Sequence, residues 1–215
     1  PGEHVAMIQA DLALCLAIDV SASVDFDEFG LMVGGYAAAF RDAELVAALA
    51  AGPRGGCVLA ALFWSGTAVA PELAVPWSLL DGAAAAARFA DALEAAPRLP
   101  QPGATALGEG MAAGLALLAR CPAEATRHVL DVSGDGLHNQ GRAPGPVRDV
   151  GVAAGVTINA LAVLNEEGPA LVAHFQEQVI GGPGSFVMHC ADYADFAAAI
   201  RLKLLREVAG GALIA

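Results

Sequence analysis

Residues 12–23 read Leu-Ala-Leu-Cys-Leu-Ala-Ile-Asp-Val-Ser-Ala-Ser, an apolar run that ends in the carboxylate of Asp19 and the hydroxyls of Ser21 and Ser23. Seven consecutive apolar residues without polar alternation are typical of a buried strand in a parallel sheet. Three oxygen-bearing side chains where that strand ends suit a small hard cation such as Mg²⁺. The alternative is that Asp19 and Ser21 only cap the helix that follows, which is common at a junction of this kind.

The composition of the chain indicates one globular domain. The 215 residues are 56% hydrophobic and 16% charged, and no low-complexity linker divides them, so we predict a single domain over 1–215 with a core over about 11–208. The formal net charge of −12 argues against a nucleic-acid partner and against docking on an anionic membrane. The longest uncharged run, over 55–71, is interrupted by Gly, Ser, Thr and Pro, so we expect no membrane insertion.

The four cysteines do not indicate a zinc or redox site, because none of them forms a C-x-x-C pair. Cys15 and Cys57 fall inside apolar runs and are expected to be buried thiols. Cys121 and Cys190 end their predicted elements and could pair only if the fold brought them together.

Strand and helix patterns alternate along the chain, which predicts an α/β sheet with helices on both faces. A ligand of such a sheet binds at the carboxyl ends of the strands, where the strand order reverses. The residues before Asp11 read as a short lead-in, and the prolines at 71 and 76 suit an edge strand. The predicted strands cover 12–18, 57–64, 67–75, 128–132, 156–164 and 185–189, and the predicted helices cover 25–40, 42–50, 83–95, 106–120, 146–154, 169–179 and 191–208.

Two later segments offer oxygen ligands in the same way. Thr105 lies in a Gly-Ala-Thr loop before a long helix, and Asp135 lies in the sequence Ser-Gly-Asp-Gly that ends a buried strand. The combination of Asp-x-Ser-x-Ser at 19–23, a distant loop Thr and a later strand-end Asp-Gly resembles the metal-ion-dependent adhesion site (MIDAS) of von Willebrand factor A (vWA) domains. The resemblance extends over about 11–208, and all five positions of the motif match.

The resemblance implies a six-stranded, mostly parallel, doubly wound sheet in the order 3-2-1-4-5-6, with the third strand antiparallel at the edge. It further implies that Asp19, Ser21, Ser23, Thr105 and Asp135 hold Mg²⁺ or Mn²⁺, with Ca²⁺ as a further option. Two carboxylates balance a divalent charge, and Mg²⁺ keeps a coordination position open. In the family, an Asp or Glu of a protein partner takes that position. For this chain, whose net charge is negative, an acidic partner would approach against long-range repulsion.

Closer features resemble one bacterial branch of the family whose function is uncharacterised and whose members are often exported. These features are residues 131–136 (Asp-Val-Ser-Gly-Asp-Gly), 157–159, 179–184 and 200–203. The branch implies an exported or periplasmic protein and no particular biochemical role.

Other polar residues are weaker candidates. His138 and Asn139 follow the predicted metal loop and are assigned to the ligand-facing surface, although loop polars are commonly just solvated. Asp131 could be a further ligand, but we favour a structural hydrogen-bonding role. The remaining histidines, at 4, 128, 174 and 189, and the two tryptophans, at 64 and 77, are interpreted as structural. Gly108-x-Gly110 lies inside a helix pattern and is not a dinucleotide fingerprint.

The leading interpretation is a non-enzymatic module that binds a protein through a divalent cation. A Mg²⁺-dependent hydrolase using the same cluster is the first alternative, but it needs a general base, for which only His138 is close in sequence. No G-x-S-x-G sequence or evident relay supports a serine hydrolase. The second alternative is a structural subunit of a larger complex that works with a chaperone-like ATPase.

Overall fold

The computed structural model describes residues 7–99, 103–165 and 167–210. They form one six-stranded sheet flanked by seven helices. The strands are β1 (Ile8–Asp19), β2 (Cys57–Trp64), β3 (Glu72–Leu80), β4 (Ala123–Gly134), β5 (Val156–Val163) and β6 (Val187–Cys190). The helices are α1 (Phe26–Arg41), α2 (Ala43–Ala50), α3 (Ala83–Ala95), α4 (Leu107–Leu118), α5 (Pro144–Ala153), α6 (Pro169–Gln178) and α7 (Phe196–Val208).

The sheet has the predicted order β3-β2-β1-β4-β5-β6. β3 is the antiparallel edge strand, and all other neighbouring strands are parallel. The strand order reverses between β1 and β4, which are hydrogen-bonded neighbours. The carboxyl ends of these two strands therefore lie side by side at the switch point, where α/β sheets bind ligands.

The alternation of side chains along β1 gives the sheet two different faces. Leu12, Leu14, Leu16 and Ile18 belong to the larger core cluster, which packs against α1, α2, α3 and α7. Ala13, Cys15 and Ala17 belong to the second cluster, under α4, α5 and α6. The small side chains of this second face allow α4 to pack closely, and a Cβ at Gly110 would lie 2.4 Å from Trp64 Cγ. The glycine pair of α4 is thus a packing feature, as its helical position indicated.

The structure corrects several predicted boundaries. The predicted bounds of the third strand, 67–75, are wrong, because the strand covers Glu72–Leu80. Residues 66–69 instead form a turn in which the Thr67 N–H donates to the Gln140 side chain at 2.8 Å. β1 begins at Ile8, in the predicted lead-in, and β4 begins at Ala123. These first residues pair with one another but are partly exposed, so they lack the continuous apolar signal of a buried strand.

The last helix also begins later than predicted. We placed its start at residue 191, but 191–195 form turns and α7 starts at Phe196. Asp192 explains the delay, because its carboxylate accepts hydrogen bonds from the backbone N–H groups of Ala194 and Asp195 at 2.8 and 3.2 Å.

The cysteines and the membrane prediction can be compared directly with the fold. All four cysteines are free thiols. Cys121 lies before the amino end of β4 and Cys190 lies at the carboxyl end of β6. Because these strands run parallel, the two cysteines lie toward opposite ends of the sheet. Within the described ranges no helix is long and apolar enough to cross a bilayer. His4 and residues 100–102 of the loop before Thr105 lie outside the described residues.

Candidate metal centre

The five predicted metal-site residues come from three segments that meet at the carboxyl edge of the sheet. Asp19 is the last residue of β1, and Asp135 follows β4 directly. The two strands are in register here, with Ile18 beside Ser133. Thr105 precedes α4 in the third segment. The topology therefore brings together side chains that are far apart in the sequence.

Hydrogen bonds join the turn after β1 to Asp135. The backbone N–H of Ser21 donates to Asp19 Oδ1 at 2.8 Å, which folds the turn back over the strand end. The hydroxyls of Ser21 and Ser23 are 3.1 Å apart, and Ser23 Oγ donates to Asp135 Oδ1 at 2.6 Å. Asp19, Ser21 and Asp135 are buried, while Ser23 lies at the exposed rim.

Thr105 is held by a two-way contact with Asn139. The Thr105 N–H donates to Asn139 Oδ1 at 2.9 Å, and the Asn139 N–H donates to the Thr105 carbonyl at 3.1 Å. A Cβ at position 136 would lie 3.0 Å from Thr105 Oγ1. Gly136 thus lets the threonine hydroxyl approach the loop of Asp135, as the Asp-Gly sequence requires.

The loop before Thr105 is tied to the first strand end as well. The Ala22 N–H donates to the Gly103 carbonyl at 2.8 Å, and the Gly103 N–H donates to Ser65 Oγ at 2.7 Å. Arg98, just after α3, donates from its guanidinium to the carbonyls of Ser21 and Val24. The turn that carries Ser21 and Ser23 is therefore braced from two directions.

The environment of the two carboxylates disfavours their charged forms. Burial raises the pKa of Asp19 to about 7, and the nearby charge of Asp135 adds to that rise. Burial also raises the pKa of Asp135, although the hydrogen bond from Ser23 opposes the effect and Glu28 adds to it. Asp19 Oδ2 and Asp135 Oδ2 are buried and have no hydrogen-bond partner among the described residues. Two unsatisfied buried oxygens of like charge are the arrangement that a cation would relieve.

The donor set fits a hard cation. It contains two carboxylates and three hydroxyls, which are the oxygen ligands that Mg²⁺, Mn²⁺ and Ca²⁺ take. In the part of the chain that the structure describes, no group of three or more His, Cys, Asp and Glu side chains is placed to hold a metal. The five-residue cluster has only two such side chains, so its binding capacity would depend on its hydroxyls.

The weaker candidates, His138, Asn139 and Asp131, lie in different surroundings in the structure. Asn139 lines the cavity above the cluster, but His138 is not among the cavity-lining residues. The His138 N–H instead faces His174 Nε2 at 3.4 Å. Asp131 is fully buried and forms an ion pair with Lys203 of α7, which supports the structural role that we favoured.

The ion pair of Asp131 belongs to a buried network that we did not predict. Lys203 is fully buried and also contacts Glu207 Oε1 at 2.7 Å, and Asn159 Nδ2 donates to the same oxygen at 3.2 Å. Burial raises the pKa of Glu207 to about 8, with Asp131 adding to the rise. Burial lowers the pKa of Lys203, but the two carboxylates outweigh it and the pKa lies above its usual value.

Tyr193 is a further residue of the site that the sequence did not indicate. Its side chain is buried, and burial together with the charges of Asp135 and Asp19 raises its pKa. It follows β6 in a turn with no motif around it. Only the folded arrangement brings it behind the two carboxylates.

Comparison with known proteins identifies a family and a fold. A family described as "Protein of unknown function (DUF1194)" matches residues 9–212. No curated protein matches the chain.

Solved structures of vWA-type proteins share the fold. Proximal thread matrix protein 1 from the mussel byssus, in a form with a zinc-occupied MIDAS motif, has a TM-score of 0.61 at 16% identity over 94% of this chain and 48% of its own. The pilus adhesin SpaC from Lactobacillus rhamnosus GG has a TM-score of 0.66 at 12% identity, over 93% of this chain and 30% of its own. The vWF domain of the type V pili tip protein Mfa5 from Porphyromonas gingivalis has a TM-score of 0.63 at 10% identity, over 97% and 98%.

These likenesses show that the fold is that of a vWA domain, as the sequence motifs predicted. The chain spans about half the length of the mussel protein, at 48% coverage. At these identities the comparison concerns the fold and not the activity.

Proposed function

The chain belongs to the DUF1194 family of unknown function, and from the geometry of its site we propose that it is a protein-binding module of the adhesion or assembly type that depends on a divalent cation. Asp19, Ser21, Ser23, Thr105 and Asp135 would hold the ion. The observation that carries the proposal is a pair of buried oxygens, Asp19 Oδ2 and Asp135 Oδ2, that have no hydrogen-bond partner within the described ranges and lie beside three hydroxyls at the switch point of the sheet.

The bound ion would supply an electrophilic centre for one carboxylate of a protein partner. The side chains of the chain itself do the rest: the Asp19 and Asp135 carboxylates balance the divalent charge, and the Ser23 hydroxyl orients Asp135 through its 2.6 Å hydrogen bond. Asn139 Oδ1 accepts a hydrogen bond from the Thr105 N–H at 2.9 Å, which would hold the Thr105 backbone in place beside the ion. Because the two carboxylates only neutralise the divalent charge and do not fill the coordination shell, the ion would still accept an oxygen ligand from a partner's carboxylate.

The structural neighbours support the adhesion or assembly reading. Two of them are a pilus adhesin and a pilus tip protein, and the mussel protein has a zinc-occupied MIDAS motif. By analogy we propose an exported protein with a protein partner, and Mg²⁺ or Mn²⁺ as the ion, with Ca²⁺ and Zn²⁺ as the alternatives to be compared.

Thermal melting tests the metal site directly. The protein is stripped with EDTA and melted alone and with Mg²⁺, Mn²⁺, Ca²⁺ or Zn²⁺. An ion that binds only the folded state stabilises it by about 2.7 kcal/mol at a hundred-fold excess over its dissociation constant. For a domain of this size, that is a rise of about 5–10 °C in the melting temperature.

Two variants make the test specific. Asp19→Asn removes one carboxylate of the cluster and should abolish the rise. Asp81→Asn makes the same change of charge on an exposed residue just after β3, the edge strand of the sheet. This variant should keep the full rise in melting temperature. Melting curves that no ion shifts would contradict the proposal.

The hydrolase alternative is tested on the same samples with generic phosphate and carboxylic ester substrates. Turnover that requires the ion and disappears in Asp19→Asn would overturn the binding-module proposal in favour of an enzyme.

A further inference from the structure

A cavity of about 640 Å³ lies directly above the candidate metal centre, and its wall is acidic. Besides Asp135, the carboxylates that line it are those of Asp25, Glu28, Glu167 and Asp192. Among the described residues, no Lys, Arg or His lines the cavity. We refer to Asp25, Glu28, Glu167 and Asp192 as the acidic rim.

Hydrogen bonds from neutral backbone groups hold three of the four rim carboxylates. Asp25 and Glu28 cap α1 reciprocally, each carboxylate accepting a backbone N–H of the other at 2.8 Å. Asp192 likewise accepts two backbone N–H groups. These donors are neutral, and none of the ion pairs of the described residues includes a rim carboxylate. A divalent cation on Asp19 and Asp135 would offset those two charges and leave the rim uncompensated.

The buried Asp135 connects the rim to the metal centre. Asp135 is 3% exposed and lines the cavity, and its Oδ2 has no hydrogen-bond partner in the part of the chain that the structure describes. The site therefore has an unsatisfied acceptor at its base and four ionisable acids around its mouth. An acidic or neutral segment that enters it would place its own carboxylate among like charges, at a cost that salt screens only in part.

An exposed aromatic ring lies next in sequence to the rim residue Asp25, although it does not line the cavity itself. Phe26 is 78% exposed, at the first position of α1, and lies in sequence between Asp25 and Asp27. A ring beside carboxylates favours a Lys or Arg side chain, because the ring face attracts a cation and its edge offers apolar contact for the aliphatic stem.

We propose that the partner presents a basic polypeptide segment in which one Asp or Glu is flanked by Lys or Arg. The single carboxylate would meet the metal centre, and the flanking cations would meet the acidic rim and Phe26. The proposal rests on the proposed function for its metal and adds the charge of the partner. It also accounts for how a carboxylate reaches a protein whose net charge is −12, because the segment as a whole is attracted.

Labelled synthetic peptides test the charge preference by fluorescence anisotropy. The basic probe has one Asp between two Lys pairs, the neutral probe has the same Asp between Ser pairs, and the acidic probe has it between Glu pairs. A fourth probe carries Asn for Asp in the basic frame. Each is titrated with saturating Mg²⁺ and with EDTA, at about 50 mM and about 300 mM NaCl.

The expected result is a ranking. The basic probe should bind at least about ten-fold more tightly than the neutral one, and its affinity should fall at the higher salt concentration. The increase in affinity that Mg²⁺ gives the basic probe should be absent for its Asn analogue and in the EDTA samples. Glu167→Gln and Asp192→Asn should each weaken binding about two- to five-fold. Asn at 192 can still accept the two backbone N–H groups, and Asp81→Asn should leave the affinity unchanged.

The outcomes separate this inference from the function on which it rests. If Mg²⁺ raises the melting temperature but the neutral probe binds as tightly as the basic one, the charge preference is wrong while the metal site stands. If the basic probe binds equally well in EDTA or with Asn for Asp, the surface is only a trap for polycations and the proposal is overturned. Absence of any binding by the basic probe at about 1 mM also overturns it.

Discussion

Replacing Lys203 by methionine tests whether the buried network on α7 is a balanced structural unit. The change removes the ammonium and keeps most of the aliphatic volume. Lys203 is fully buried, and its partners Asp131 and Glu207 are 0% and 2% exposed, so water cannot replace the lost partner. Because burial raises the pKa of Glu207 to about 8, that group is largely neutral at pH 7. The network is then close to electrically neutral before the mutation.

The expected loss follows from that balance. Lys203→Met strands the Asp131 charge in the core, which costs about 3–5 kcal/mol for a broken buried pair. This corresponds to a fall of about 6–20 °C in melting temperature for a domain of this size. Lys203 also lowers the pKa of Glu207, so its removal should raise that pKa further, and the stability gap between variant and parent should widen as the pH rises from 7 to 9.

Thermal and urea unfolding across this pH range measures the effect. Arg88→Met makes the same change of charge on an exposed position of α3 and should change stability little. The double variant Lys203→Met with Asp131→Asn should recover much of the loss, which a double-mutant cycle quantifies. A Lys203→Met variant within about 1 kcal/mol of the parent at pH 7.5, or a gap independent of pH, would refute the electrostatic account. The melting response to Mg²⁺ should persist in Lys203→Met, because Asp131 pairs with α7 rather than with the candidate ion.

Two further outcomes follow from the site. In EDTA at pH 8, Asp19→Asn should be more stable than the parent, by at most about 4 kcal/mol, because the pKa of Asp19 is raised to about 7. An acid whose pKa is higher in the folded than in the unfolded protein destabilises the fold at pH values above the unfolded pKa. The stability advantage of Asp19→Asn in melting curves should therefore be absent near pH 4 and grow towards pH 7. An advantage of equal size at pH 4 would contradict this explanation. Arg98→Gln should weaken Mg²⁺ binding about ten-fold in calorimetry, because it releases the carbonyls of Ser21 and Val24. Unchanged affinity, as expected for the exposed control Arg88→Gln, would show that Arg98 does not position the turn.

The sequence predicts the parts of this molecule that repeat a local pattern. The apolar run before Asp19 marks the central strand, and the oxygen-rich strand ends mark the edge at which the cluster assembles. The third strand was predicted too early in the sequence, because residues 78–80 extend it by pairing with the start of β2, a contact that no local periodicity signals. Helix α3 was placed correctly because its alanine-rich run has clear ends.

Long-range polar partners are what the sequence could not supply. Lys203 reads as a charge near the end of a helix, and only its packing against β4 shows that it is buried beside Asp131. The rim residues Glu28 and Asp192 lie near the starts of the helices predicted over 25–40 and 191–208. Local hydrogen bonds satisfy both, because Glu28 accepts the Asp25 N–H and Asp192 accepts the N–H groups of Ala194 and Asp195. Their second property, the shared cavity, exists only after α1 and the turn after β6 have met above the sheet.

The contact between Ser23 and Asp135 spans 112 residues of sequence. Each half of the chain therefore carries only part of the cluster, and neither a nascent N-terminal fragment nor an extended chain has the pair of carboxylates in place. Since β1 and β4 must be neighbours before these groups meet, the proposed cation site would form only when the central sheet closes. Binding of the ion would then report that the central sheet has formed, and the unfolded chain would not show it.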